Sequence, residues 1–360
     1  MKNKRIVINA SILHERPTGL GIYTKNVIKE MVKIDKSIIT FSPVEIEGVK
    51  TKKITDLVKP SYKKIGGIMR LLWTQFVLPF KVSKDDILYH PFQYICLFSR
   101  SKQVMTVHDF IPMYYPEVAK HQYRYYKYLM PFLIKKAYKI VCISQNTKKD
   151  LLKFYNVSEE KIEVIYNGYD ENLFNNDKLN KDILKKYNIN YKYMLMVGAS
   201  YPHKNLDIVI KAFKDIEDCK LVVVGKESDY IKRLKLLCKE LNIEHKINFV
   251  GYVSDKDLKD LYGFSVSFLY PTLYEGFGLP IIEAMACGTT VICSDNSSLP
   301  EVSNDAALTF NAKSVSDIKE KIEIMANNIE LREELKDKSK ENIKRFSWKK
   351  TAKSIYSLLT

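Results

Sequence analysis

In the stretch Pro271-Thr272-Leu273-Tyr274-Glu275-Gly276-Phe277-Gly278-Leu279-Pro280-Ile281-Ile282-Glu283, two glutamates flank a glycine-rich loop with seven residues between them. Pro280 suits a first helical turn and Gly288 a helix end, so 281–287 reads as a short helix entered through that loop. Main-chain N–H groups are free at such an N-terminus, and the helix dipole favours an anion beside them. Gly276 and Gly278 let a ligand approach the backbone closely. A phosphate fits this description. Glu275 in the loop and Glu283 in the first turn would oppose it unless they accept hydrogen bonds from neutral hydroxyls. A nucleotide ribose and a hexose supply those hydroxyls, so the chemistry indicated is that of a nucleotide sugar. A first-turn helix charge accounts for Glu283 alone; it leaves Glu275 without a reason.

Three other places carry reactive residue types. His108 closes a strand pattern in Thr106-Val107-His108-Asp109. A solitary strand-end imidazole is more often structural than catalytic, so the local sequence does not assign it. Gly19 and Gly21 precede the first long helical pattern. They either bring main-chain N–H groups toward an anion or form an ordinary tight strand-to-helix turn. Asp255-Lys256-Asp257 spells a D-x-D of the kind that holds a divalent ion. However, Ser254 and Asp255 precede the apolar period Leu258, Leu261, Tyr262 and read as a helix cap. No His, Cys and Asp cluster with ligand spacing stands elsewhere, so no metal is expected.

The elements that must position these residues follow from length and pattern. A chain of 360 residues with 46% hydrophobic and 28% charged residues has enough apolar surface for two α/β domains and excludes a disordered or fibrous chain. Short β-branched runs at 5–10, 87–90, 104–108, 140–144 and 162–165 alternate with amphipathic stretches. The pattern repeats at 193–197, 220–224, 247–250, 265–270 and 290–293, which is the signature of parallel sheets covered by helices. The Asn-rich stretch 167–177 reads as the linker between them. The predicted architecture is two Rossmann-like domains facing a central cleft, 1–172 and 173–345, with ligands beyond the carboxyl ends of the strands. No window of about 18 apolar residues appears, and the opening apolar run is too short for a secretory signal, so a cytoplasmic location is expected. The six cysteines form no C-x-x-C pair and read as reduced core residues.

The sequence resembles the retaining glycosyltransferases of family four, whose hallmark is the glutamate pair at this spacing. Further matches run in order along nearly the whole chain: Pro17 to Thr24, Thr106 to Pro112, Cys142-Ile143-Ser144, Tyr166 to Asp170, Val197-Gly198, His203-Lys204-Asn205-Leu206, Phe249-Val250-Gly251-Tyr252-Val253 and Phe346-Ser347-Trp348. The resemblance implies the GT-B fold, with a last helix, about 346–360, returning to the amino-terminal acceptor domain while the carboxyl-terminal domain holds the donor. It implies catalytic roles for His108, Glu275 and Lys204, with Lys204 neutralising the departing pyrophosphate. It implies donor contacts by Glu283, Gly276, Phe277, Gly278, Leu279, Gly198, Gly19, Gly21, Tyr252 and Val253, with Glu283 on the ribose hydroxyls. Where many relatives carry an arginine near the lysine, this chain has Ala199 and His203; Lys226 is a candidate replacement. No cofactor is implied beyond the nucleotide-sugar donor. By family habit that donor is GDP-mannose, and the acceptor is a lipid-linked saccharide or a growing surface polysaccharide. Retention without a carboxylate nucleophile implies front-face attack within an ion pair. A nucleotide-sugar epimerase of the same fold is the alternative reaction. A basic nucleic-acid-binding protein is the alternative class, disfavoured because no ribonucleoprotein or zinc motif appears.

Charge is unevenly placed. Of a net +16, residues 1–172 carry 29 Lys/Arg against 16 Asp/Glu. A basic half of this kind suits an anionic membrane surface. Two aromatic and cationic stretches could meet it: Lys59-Pro60-Ser61-Tyr62-Lys63-Lys64 running on through Arg70 to Phe76, and His121 to Tyr128 leading toward Lys135-Lys136. Peripheral attachment at the inner membrane face is the expectation.

Overall fold

Runs that are apolar on both faces are stable where helices cover both sides of a parallel sheet, and the chain builds two such sheets. The computed structural model describes residues 5–360 apart from Arg16, Val118 and Ala199. The first sheet contains β1 (Ile6–Asn9), β2 (Ile39–Ser42), β3 (Thr51–Lys53), β4 (Ile87–His90), β5 (Lys102–Val107), β6 (Lys139–Cys142) and β7 (Ile162–Val164), in the order β3-β2-β1-β4-β5-β6-β7. The second contains β8 (Tyr193–Val197), β9 (Lys220–Val224), β10 (Ile247–Gly251), β11 (Ser267–Tyr270), β12 (Thr290–Ser294) and β13 (Ala307–Phe310), in the order β10-β9-β8-β11-β12-β13. In both, the strand order reverses beside the first strand, at β1/β4 and at β8/β11. Doubly wound sheets form their ligand crevice at such switch points.

Contacts divide the chain into two units, Met1–Gly168 with Ser347–Thr360, and Tyr169–Phe346. The division falls at Gly168, before the Asn172 boundary expected from sequence. The reason for a glycine there is spatial: a Cβ on Gly168 would stand 2.0 Å from the Trp348 backbone nitrogen. The chain thus leaves the first unit against the point where it returns. The returning helix Trp348–Leu359 packs along the helix Leu20–Ile34, and the Thr351 hydroxyl donates to the Tyr166 carbonyl at 2.7 Å. By these boundaries the first unit holds 32 Lys/Arg against 14 Asp/Glu, or +18, and the second 26 against 28, or −2. All six cysteines are free and buried, and no helix among the described residues is long and apolar enough to cross a membrane.

The strands at 87–90, 193–197 and 220–224 stand where the pattern puts them. Three do not announce themselves: β2, the polar edge strand β3 and β13. The expected basic face also needs correction, because Lys59 is paired with Glu15 and Asp56 and Arg70 is buried.

Candidate active site

In the second unit, the loops after β8, β9, β10, β11 and β12 gather at the carboxyl ends of the strands. The first and fourth are tied together: the Leu273 amide donates to the His203 carbonyl at 2.8 Å. Asn205, held at φ 60°, donates from its side chain to the carbonyls of Pro271 (3.0 Å) and Ala312 (2.8 Å). Between the loops, Lys204 Nζ meets Glu275 Oε1 at 2.5 Å and the Tyr270 hydroxyl at 3.3 Å. Burial and Glu275 push the Tyr270 phenol far above its ordinary range, so it stays a neutral neighbour of the pair. His203 is buried and stacks on Tyr201, with ring centroids 5.8 Å apart; burial, then the Lys204 charge, holds its pKa below the ordinary value.

The loop carrying Glu275 is held from β12. The Ser297 hydroxyl accepts from the Glu275 amide at 3.0 Å, and the Ser298 hydroxyl donates to the carbonyls of Glu275 (3.0 Å) and Phe277 (2.7 Å). The sequence places Asn205 in the matched run His203-Lys204-Asn205-Leu206 without a role and gives these serines none; the polar run Ser294-Asp295-Asn296-Ser297-Ser298 after a buried strand was the signal available. Gly278 caps the following helix at φ 115°, and a Cβ there would come 3.0 Å from Leu299, so a side chain is disfavoured twice.

That helix spans Leu279–Ala286, starting two residues before the expected 281. Glu283 therefore lies in its second turn, not its first, and a first-turn charge no longer accounts for it. Burial first, then the carboxylates of Asp255 and Asp170, push its pKa up to about 8. An acid held this way gains from any ligand that supplies hydroxyl donors. Phe277 and Val253 are buried, Phe277 edge-on against Phe346 at 5.7 Å, so what they offer a ligand is main chain. Gly198 lies at φ 78° with open space where a Cβ would be. Tyr252 is exposed and stands 5.5 Å from the Lys226 ammonium. Ala199 lies outside the described residues. In the D-x-D, Ser254 caps the helix Asp255–Phe264, and Asp257 is engaged by Lys186 (2.6 Å) and Tyr187 (2.9 Å).

The first unit assembles a different group. His108 follows β5 and is buried; a hydrogen bond joins its Nε2 to the Pro91 carbonyl at 2.7 Å, and the edge of Tyr23 packs on its ring at 4.6 Å. Desolvation lowers its pKa to about 4, so the imidazole is neutral at physiological pH. The Tyr23 hydroxyl joins those of Tyr89 (3.0 Å) and Thr106 (3.2 Å) in a buried network. Tyr23 belongs to the helix that Gly19 caps at φ 44°. The Gly21 amide donates to the Thr18 carbonyl at 2.9 Å, and a Cβ on Gly21 would meet Pro17 at 2.7 Å. Gly21 thus serves a tight turn, and Gly19 is the glycine with open space. His108, Gly19 and Gly21 belong to this unit; every other expected site residue belongs to the second.

Comparison with known proteins bears on both units. The family model for glycosyl transferases group 1 matches residues 180–342, and that for glycosyltransferase family 4 matches residues 17–173. The O-antigen chain mannosyltransferase RfbU of Salmonella typhimurium is 39% identical over 210 residues, 58% of this chain and 56% of that protein, so the chain spans little more than half of that relative. O-antigen chain mannosyltransferase B of Escherichia coli is 29% identical over 274 residues, 73% of this chain and 71% of that protein. Among solved structures, Anabaena Alr3699/HepE in complex with UDP and glucose superposes with a TM-score of 0.76 at 17% identity, over 99% of each chain.

Proposed function

Because the chain belongs to glycosyltransferase family 4, we propose that it is a retaining hexosyltransferase moving mannose from a nucleotide sugar to a lipid-linked or growing cell-surface polysaccharide acceptor. The observation that carries this reading is the Lys204–Glu275 pair at 2.5 Å, held between the loops of β8 and β11 beside a glycine-capped helix start. An ammonium balanced by a carboxylate can exchange that partner for a diphosphate, which frees the carboxylate for sugar hydroxyls. Glu283 takes the ribose hydroxyls, and Tyr252 with Lys226 borders the donor. The choice of mannose rests on the names of the two mannosyltransferase relatives, and a nucleotide sugar agrees with the UDP and glucose in HepE.

In this reaction the bond from the anomeric carbon to the diphosphate oxygen breaks, the acceptor oxygen attacks from the same face, and its proton passes to the departing diphosphate. Lys204 meets the charge that grows on the diphosphate. This route needs no carboxylate nucleophile, and Glu275 serves it by accepting hydrogen bonds from the sugar hydroxyls. His108 enters as a neutral group that can accept or donate a hydrogen bond without adding charge. The engagement of Asp257 by Lys186 and Tyr187 supports a metal-independent reaction. The acceptor lies at the inner face of a membrane, which the enzyme reaches as a peripheral protein.

Incubation with GDP-mannose, EDTA and a polyprenyl-diphosphate-linked saccharide tests this. The expected result is an α-linked mannoside detected by anomeric NMR. An inverted product, activity lost to EDTA, or conversion of the donor hexose without any acceptor would overturn it, the last in favour of an epimerase.

A further inference from the structure

The helix Lys63–Leu72 turns an apolar face to solvent, although Met69 packs inward against the core. Ile65, Ile68 and Leu72, at helical spacing, face solvent, with Ile65 63% exposed, while Gly66 and Arg70 pack inward. Arg70 is 7% exposed: its Nη1 donates to the Val58 carbonyl at 2.9 Å, and its guanidinium lies 5.8 Å from the Tyr94 ring. An amphipathic helix of a water-facing surface does the reverse. The π-helical turn Trp73–Val77 continues the pattern by burying Trp73, Thr74 and Gln75 and exposing Phe76. Beyond it, Phe80 is 87% exposed, and Phe98, 62% exposed, stacks on Phe76 with ring centroids 5.5 Å apart. Phe76, Phe80 and Phe98 line one shallow groove of about 420 Å³ with Lys84 and Arg100.

These aromatics are held out by buried amides. Gln75 donates to the Ile95 carbonyl at 2.7 Å and accepts from the Leu97 amide at 2.8 Å. Gln103 accepts from the Cys96 amide at 2.9 Å and donates to its carbonyl at 2.7 Å. The loop that carries Phe98 is thus fastened from beneath, and its exposure is not the looseness of a free tip. Lys63, Lys64, Lys81, Lys84 and Arg100 are exposed on the same segments, and none is in an ion pair among the described residues. Apolar side chains ringed by uncompensated cations, on a unit of charge +18, are complementary to an apolar phase bordered by anions.

We propose that this surface docks on a bilayer containing anionic lipid, with Phe76, Phe80, Phe98 and the exposed isoleucines entering the headgroup boundary and the five cations meeting lipid phosphates. The inference rests on the reading that the acceptor is membrane-borne and names the face that reaches it. A second copy of the chain is the poorer occupant, because a two-fold contact would set these cations against one another.

Co-sedimentation with phosphatidylglycerol-containing vesicles, against pure phosphatidylcholine vesicles, tests it. The wild-type chain is expected to sediment with the anionic vesicles at low salt. It should be released as the Debye length falls from about 10 Å at 0.1 M to about 3 Å at 1 M. Each cation contributes about fivefold, so K81E/K84E/R100E should lower partitioning by about 100-fold or more. F76S/F80S/F98S should lower it by at least about tenfold, and K211E/K239E in the second unit should leave it unchanged. Titration of each variant with GDP-mannose reports that it is folded and separates failure of docking from failure of the donor site. No sedimentation of the wild type at low salt would overturn the proposal. So would undiminished sedimentation of the variants, or a dimer that F76S/F80S/F98S converts to a monomer without any vesicle binding.

Discussion

The two units share a topology and invert its electrostatics. At the β8/β11 switch point of the second, a charged pair is kept, Lys204 against Glu275, with Glu283 as an acid that ionises only as pH rises through about 8. At the β1/β4 switch point of the first, the groups are buried and neutral. Asn9 bonds to His90 at 3.3 Å and to Thr74 at 3.2 Å, His90 bonds to Gln103 at 3.0 Å, and desolvation lowers the pKa of His90, like that of His108, to about 4. The same strand order therefore builds a place to hold charge in one unit and a rigid neutral wall in the other. The fold supplies the location, and the residues at the strand ends decide the chemistry.

The largest expected consequence of this difference is a divergent response to pH. His90 and His108 bind protons less readily folded than unfolded, so their contribution is present above about pH 6.5 and is lost as pH falls through about 4. Each shift corresponds to about 3 kcal/mol. Glu283 has the opposite sign: its contribution is present below about pH 4.5 and is lost as pH rises through about 8. Hydrogen exchange read by segment should show the first unit loosening as pH falls from about 6.5 to 4 and the second loosening as pH rises from about 4.5 to 8. H108N should blunt the acid response and E283Q the alkaline one. Parallel responses in both units would remove the contrast.

The next effect is on turnover. Lys204→Ala removes the charge that meets the leaving diphosphate and should lower kcat by about 100- to 1000-fold, with a smaller change in KM. His203→Ala, which removes a neutral buried neighbour, should cost less. Equal losses in steady-state kinetics would place the leaving group elsewhere.

What sequence could disclose divides along physical lines. Buried strands such as Tyr193–Val197 are continuous apolar runs, so their pattern is unambiguous; edge strand Thr51–Lys53 is short and polar, and nothing local separates it from a loop. Helical periodicity marks 63–76 as two-faced without saying which face is wet, and the burial of Arg70 is decided by distant partners, the Val58 carbonyl and the Tyr94 ring. The types and spacing of Glu275, Glu283 and Lys204 are legible because the reaction constrains them. The pairing of Lys204 with Glu275, across 71 positions, and the hold of Ser298 on the glycine loop depend on how the loops of separate strands meet.

Calorimetric titration of GDP-mannose into the wild-type chain and Glu283→Ala at pH 8.5 tests the donor assignment most directly. A buried acceptor of ribose hydroxyls contributes about 1.5–3 kcal/mol, so the variant should bind about 10- to 150-fold more weakly while melting as a folded protein. Wild-type affinity should itself tighten as pH rises through about 8 and the carboxylate ionises, a dependence absent from the variant. Equal affinity of the two proteins, with the same pH profile, would show that the donor is not held at Glu283.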